Sequence, residues 1–206
     1  MVAIAVTLTV AVLAMAIFVG ALFLHRKPPP DYWLRLTATG KPLKWDRDAF
    51  PLIVLLDPGL PAIYQEAYRQ ASQRINWCVG ATLFGEGILA PKGTTQALEN
   101  LLDGNVYISL AAAAPNPEPD HGMTSSTIDR ETGEIKKALI QLPPGRHAVA
   151  LSMIMHDLFH VLGFRDDSSS LTIMHPKISR RPQKTLITTE DQRRLRKTFD
   201  TSFSKV

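Results

Sequence analysis

Residues 156–176 constrain the fold of this chain more than any other stretch. They read His-Asp-Leu-Phe-His-Val-Leu-Gly-Phe-Arg-Asp-Asp-Ser-Ser-Ser-Leu-Thr-Ile-Met-His-Pro, and their first residues close an apolar run from Ala148 to Leu162. Such a run predicts a buried helix. His156 and His160 are four apart, just over one turn, so both imidazoles leave the same face and can share one ion. Gly163 predicts the helix stop, because glycine is the residue most at ease in the left-handed conformation that ends helices. Beyond that turn Asp166 can swing back as a third, oxygen ligand, with Asp167 beside it as a rival. Two neutral imidazoles and one carboxylate leave the fourth position of a tetrahedral zinc ion free for water, which is the catalytic rather than the closed structural arrangement. Two histidines alone would read as core residues; the register of the whole stretch is what points to a metal.

A length of 206 residues fits one folded domain plus extras. The formal charge of +4 is modest and concentrated late in the chain, at Lys177, Arg180, Arg181, Lys184 and the Arg193–Lys197 cluster. Such a tail reads as a solvated face. No base-stacking aromatics are interleaved with it, so no nucleic-acid partner is expected. The single cysteine, Cys78, excludes an internal disulfide and leaves the redox compartment open. Its apolar neighbours predict a buried, inert thiol.

Residues 1–24 hold no charged side chain and are almost wholly apolar. A helix of that length, at about 1.5 Å per residue, crosses a bilayer core of roughly 30 Å. The expectation is a single-pass N-terminal membrane anchor, with a cleaved signal peptide and a secreted product as the alternative. No Lys or Arg precedes the run, which favours the anchor; Ala14-Met15-Ala16 and Val19-Gly20-Ala21 are passable cleavage sites. His25-Arg26-Lys27 would favour a cytoplasmic C-terminal domain, but the side of the membrane stays open. Residues 25–32, with Pro28-Pro29-Pro30, form a stiff linker.

The rest reads as one α/β (α+β) domain with a mixed sheet over residues 33–200, followed by a short tail at 201–206. Trp33–Leu36 reads as a short strand and Pro51–Leu56 as a buried one. Pro61 opens a helix to about Asn76, with Tyr64, Ala67, Tyr68, Ala71 and Ile75 on one stripe. Ala81–Phe84 and Asn105–Leu110 are further strands. Gly122–Ile128 and Glu134–Leu142 flank a Gly-containing turn and predict a hairpin. The site helix follows. Thr188-Thr189-Glu190-Asp191, a threonine cap with acids in the first turn, starts a last helix whose Leu195 and Phe199 pack inward.

These residues together resemble the metzincin metallopeptidases, most of all the matrixin-type branch. His156, His160, Gly163 and Asp166 fall at the spacing of that family's site, and Asp166 resembles the minority pattern with aspartate as third ligand, as in snapalysin-like enzymes. Ile173-Met174-His175-Pro176 resembles the Met-turn that follows. The resemblance covers roughly residues 33–200. It implies a twisted mixed sheet packed on the site helix, with the segment near Gly122–Ile128 as the edge strand above the cleft. It also implies zinc held by His156, His160 and Asp166, Met174 as the Met-turn residue, and a peptide or protein substrate. The chain departs from the family at Asp157, where the family has the glutamate that takes a proton from water and passes it to the leaving amine. Aspartate has the same acid chemistry with about 1.5 Å less reach.

Three functions are therefore expected in order: a membrane-anchored zinc endopeptidase with Asp157 as its acid–base group, a catalytically impaired relative that binds a peptide or protein, and an interaction protein using the basic tail. His175 could lie near the cleft, though a surface turn is the simpler reading; His121 and His147 read as loop residues. Oligomeric state is not legible.

Overall fold

The computed structural model describes residues 32–92, 97–111, 122–169, 172–176 and 187–203. The chain divides into two units, 1–32 and 33–206, and every element below belongs to the second. The apolar run 1–24, the triple proline, His121 and the basic residues 177–186 lie outside the described residues. Among the described residues no helix is long and apolar enough to cross a membrane.

The strands are β1 (Lys44–Trp45), β2 (Leu52–Leu56), β3 (Phe84–Leu89), β4 (Asn105–Leu110), β5 (Met123–Ile128) and β6 (Glu134–Leu142). The helices are α1 (Ala62–Val79), α2 (Ala150–Val161) and α3 (Thr189–Phe203). β3, β2, β4 and β6 lie side by side and parallel, β1 runs parallel beside the start of β6, and β5 pairs antiparallel with β6, its one partner among the described residues. The mixed α/β architecture expected from the sequence is present.

Register explains the core. Val54, Val106 and Ala138 are direct neighbours, and so are Leu56, Ile108 and Ile140. Both rows are buried, because residues two apart on a strand share a face. On the opposite face Leu55, Tyr107 and Leu139 align, and Ala90 and Leu101 cover them. The second row continues onto β5, where Thr124 stands opposite Ile140. Directly opposed residues share a face, so Thr124 points the same way as Leu56, Ile108 and Ile140.

Three local expectations shift. α1 runs three residues beyond Asn76, to Val79, before Gly80 ends it with φ 76°. The strand expected at Ala81–Phe84 begins only at Phe84, because Asn76 claims the preceding turn. Its Oδ1 accepts from the Leu83 and Phe84 amides at 2.9 and 3.1 Å, and its amide nitrogen donates to the Phe84 carbonyl at 2.8 Å. The strand expected at Trp33–Leu36 is reduced to two isolated bridges, Leu34 to Phe164 and Leu36 to Pro42. Thr37 to Gly40 turns the chain back at once, with Gly40 at φ 80°, leaving no length for a ladder.

The site helix α2 is buried along nearly its whole length, as its apolar sequence requires. Its end is fixed from β1: the Trp45 indole donates to the Val161 carbonyl at 2.7 Å, satisfying a carbonyl the helix itself leaves over. Gly163 follows at φ 92°, and a Cβ there would lie 2.3 Å from the Leu43 carbonyl oxygen. Conformation and close approach both demand glycine at this position.

Candidate metal site

His156 and His160 leave α2 on one face, their rings edge to face with centroids 4.5 Å apart. Each ring is oriented from behind. His156 Nδ1 donates to the Ile173 carbonyl and His160 Nδ1 to the Phe164 carbonyl, both at 2.9 Å. A carbonyl can only accept, so both protons sit on Nδ1 and both Nε2 lone pairs face forward. Asp166 Oδ1 lies 3.4 Å from each Nε2, and the three donor atoms lie within 4.8 Å of one another. Zinc bonds of about 2.0–2.2 Å in a tetrahedron put neighbouring donors about 3.3–3.5 Å apart, so both Nε2–Oδ1 separations fit one small ion. His-His-Asp is a nitrogen-and-oxygen donor set suited to zinc and to other borderline divalent metals.

Asp166 and Asp167, rivals in the sequence, take different roles. Asp167 Oδ2 is held by Arg194 Nη1 at 2.7 Å, its Oδ1 accepts from the Ser169 amide at 2.8 Å, and its own amide donates to the Met174 carbonyl at 2.9 Å. Burial pushes the Asp167 carboxyl up, but the Ser169 amide and Arg194 outweigh it and hold it below the usual carboxylate range. Asp166, half exposed, is the one that faces the imidazoles. Burial also disfavours a charged His160, and Asp166, the Phe164 carbonyl and Asp157 together outweigh it and raise its pKa.

The segment Thr172–His175 is anchored from α3. Thr188 and Asp191 cap each other reciprocally: the Asp191 amide donates to Thr188 Oγ1 at 3.2 Å, and the Thr188 amide to Asp191 Oδ2 at 3.0 Å. The same buried carboxylate accepts from the Ile173 amide at 3.0 Å and from the Thr172 hydroxyl. The peptide segment that orients His156 is thus tied to the first turn of α3. Met174 is buried here. His147 instead stacks edge-on against Tyr64, with ring centroids 5.4 Å apart.

Asp157 is wholly buried beneath the start of β5. Its Oδ1 accepts from Thr124 Oγ1 at 3.1 Å, and its Oδ2 has no partner among the described residues. A Cβ on Gly122 would lie 2.3 Å from that Oδ2, so the backbone of residue 122 rests directly on the carboxyl. Burial pushes the Asp157 pKa up to about 7, with Asp166 adding to the rise and His160 and Thr124 opposing it. A cavity of about 340 Å³ opens over the donors, lined by His156, His160, Asp166, Gly122, Met123, Thr124, Arg35 and Arg165. Asp157 does not line it. A larger cavity of about 720 Å³, between α1 and β3, contains none of the three donors.

Sequence reasoning missed Thr124, Gly122, Arg194 and the two cleft arginines. The paired aspartates at 166 and 167 and the threonine cap at 188 were the available signals for the α3 contacts; nothing local marks Thr124. No family model matches the chain, and no curated protein matches it.

Proposed function

We propose that the chain is a zinc-dependent endopeptidase of metzincin-like build. The observation that carries this reading is the donor set: two imidazoles with their Nδ1 protons engaged and a carboxylate oxygen 3.4 Å from both Nε2 atoms. The antiparallel edge strand β5 beside the cavity supports it further, since an extended peptide adds to such an edge by main-chain hydrogen bonds. So does the order of elements, with the Met174 segment buttressing His156.

His156, His160 and Asp166 would hold the ion, which when bound would supply a Lewis acid able to polarise a peptide carbonyl and to lower the pKa of water to about 7. Arg194 fixes the loop that carries Asp166, and the Ile173 and Phe164 carbonyls keep both imidazoles aimed forward. In this reading Asp157 would carry the proton between water and the leaving amine once the start of β5 gives it access to the cavity. Burial raises its pKa in the metal-free chain, the direction a proton-carrying carboxyl needs, and Thr124 donates to one of its oxygens.

A second reading is favoured by one observation. The Asp157 carboxyl is sealed under Gly122 and does not line the cavity, as a side chain one methylene short would be. In that reading the protein binds a peptide in the cleft without cleaving it. The test is a peptide-cleavage screen on the zinc-loaded full chain and on Asp157→Glu. Cleavage by either protein, lost in His156→Ala, supports the endopeptidase. Peptide binding without cleavage in either supports the binding module.

A further inference from the structure

We infer that the cleft selects a peptide carrying a carboxylate, which Arg35 and Arg165 receive beside the metal donors. This rests on reading the cleft as a peptide site.

Local pairing puts the two guanidiniums there. Leu34 and Phe164 face each other across an isolated antiparallel bridge, and both are buried. Alternation then turns the next residue on each side outward. Arg35 donates its amide to the Gly163 carbonyl at 2.7 Å and Arg165 its amide to the Trp33 carbonyl at 2.9 Å. Their backbones are therefore fixed while their side chains are exposed and line the same cavity as His156 and His160.

Among the described residues the charge at this mouth is predominantly positive. Among the described residues neither guanidinium has a hydrogen-bond partner. Among the described residues the one acid lining the cavity, Asp166, is turned to the imidazoles. Asp167 next door is hydrogen-bonded to Arg194 and feels Arg165 only through space. A bound divalent cation would add to the positive excess. Guanidinium forks match carboxylates bidentately, and focused charge at a cleft suppresses partners of the same sign. The carboxylate could belong to an internal Asp or Glu or to a free C-terminus.

The test uses the full chain and fluorescent peptides that differ at one central position (Glu, Gln or Lys), each made as a C-terminal acid and as an amide. Binding is read by anisotropy, without turnover, on zinc-loaded and chelator-treated protein. The expected result is about tenfold tighter binding for a carboxylate-bearing peptide than for its neutral twin. A gain set by the central Glu identifies an internal acid; a gain set by the free C-terminus identifies the chain end. Arg35→Gln and Arg165→Gln should each erode the preference and the double variant abolish it, with thermal melting unchanged because both side chains are exposed. Arg165→Glu should shift the preference toward Lys. Equal affinity for all peptides, no binding of any, or a preference that survives the double variant would overturn the inference. Zinc content of the same samples separates this from failure of the metal reading, since the preference is read with and without metal.

Discussion

Arg194 Nη1 sits 2.7 Å from Asp167 Oδ2, and the same guanidinium reaches Glu190 through Nε at 2.8 Å. The last helix therefore grips the residue next to Asp166, the proposed third ligand. Arg194→Gln removes the grip, leaving Asp167 without its charge partner and the Asp166 loop free to shift. Partners of this kind are worth about 10–100-fold in metal affinity. Chelator competition should show zinc affinity weakened by about that factor, while urea unfolding of the chelator-treated protein shows a loss of only about 1–3 kcal/mol. Unchanged zinc affinity would remove Arg194 from the site's support.

Gly122→Ala tests how tightly Asp157 is covered. The new Cβ would lie 2.3 Å from Asp157 Oδ2 and 3.2 Å from the Gln141 carbonyl oxygen, so either the carboxyl or the strand must move. Overpacking of this kind costs about 1–3 kcal/mol. Denaturant titration should register that loss, and any cleavage activity should fall with it. A neutral substitution would mean that β5 yields easily at this point.

Asp157 also makes a pH prediction for protein stripped of zinc. Its carboxyl is raised to about 7 from an ordinary value of 3.8. Between these values the folded state holds a proton that the unfolded state has released. Stability from this group is therefore full below its ordinary pKa and lost as pH rises through about 7. The slope is about 1.4 kcal/mol per pH unit, of order 4 kcal/mol in all. His160, also raised, contributes with the same sign. Urea midpoints measured from about pH 4 to about pH 8 should fall more steeply for the natural chain than for Asp157→Asn, which has no proton to lose. Parallel curves would show that burial does not hold the proton on Asp157.

Asp191→Ala should loosen the turn that aims His156. The buried carboxylate accepts from Ile173, Thr172 and Thr188, and losing the cap together with these bonds costs about 2–4 kcal/mol. Thermal melting should show it, with zinc affinity reduced as well. An intact melting curve would contradict the hub role.

What could be read from the sequence follows the range of the interactions. The His156–His160 pair and the Gly163 stop depend on helical period and backbone conformation, both local. The α1 stripe and the hairpin depend on periods of 3.6 and 2 and were equally legible. The start of β3 was misplaced because Asn76 binds Leu83 and Phe84 through its side chain, a contact no periodicity signals. The choice between Asp166 and Asp167 is made by Arg194, 27 residues downstream. Thr124 reaches Asp157 only through the β5–β6 register, which sets it opposite Ile140. The expected anchor at residues 1–24 lies outside the described residues.

His156, His160 and Asp166 are proposed to hold one metal ion. Elemental analysis of the purified full chain, beside His156→Ala and Asp166→Ala, tests it most directly. The account predicts about one zinc per chain in the natural protein, none retained by His156→Ala, and weakened retention by Asp166→Ala. A folded natural chain that carries no stoichiometric metal, or variants that carry as much as the parent, would contradict it.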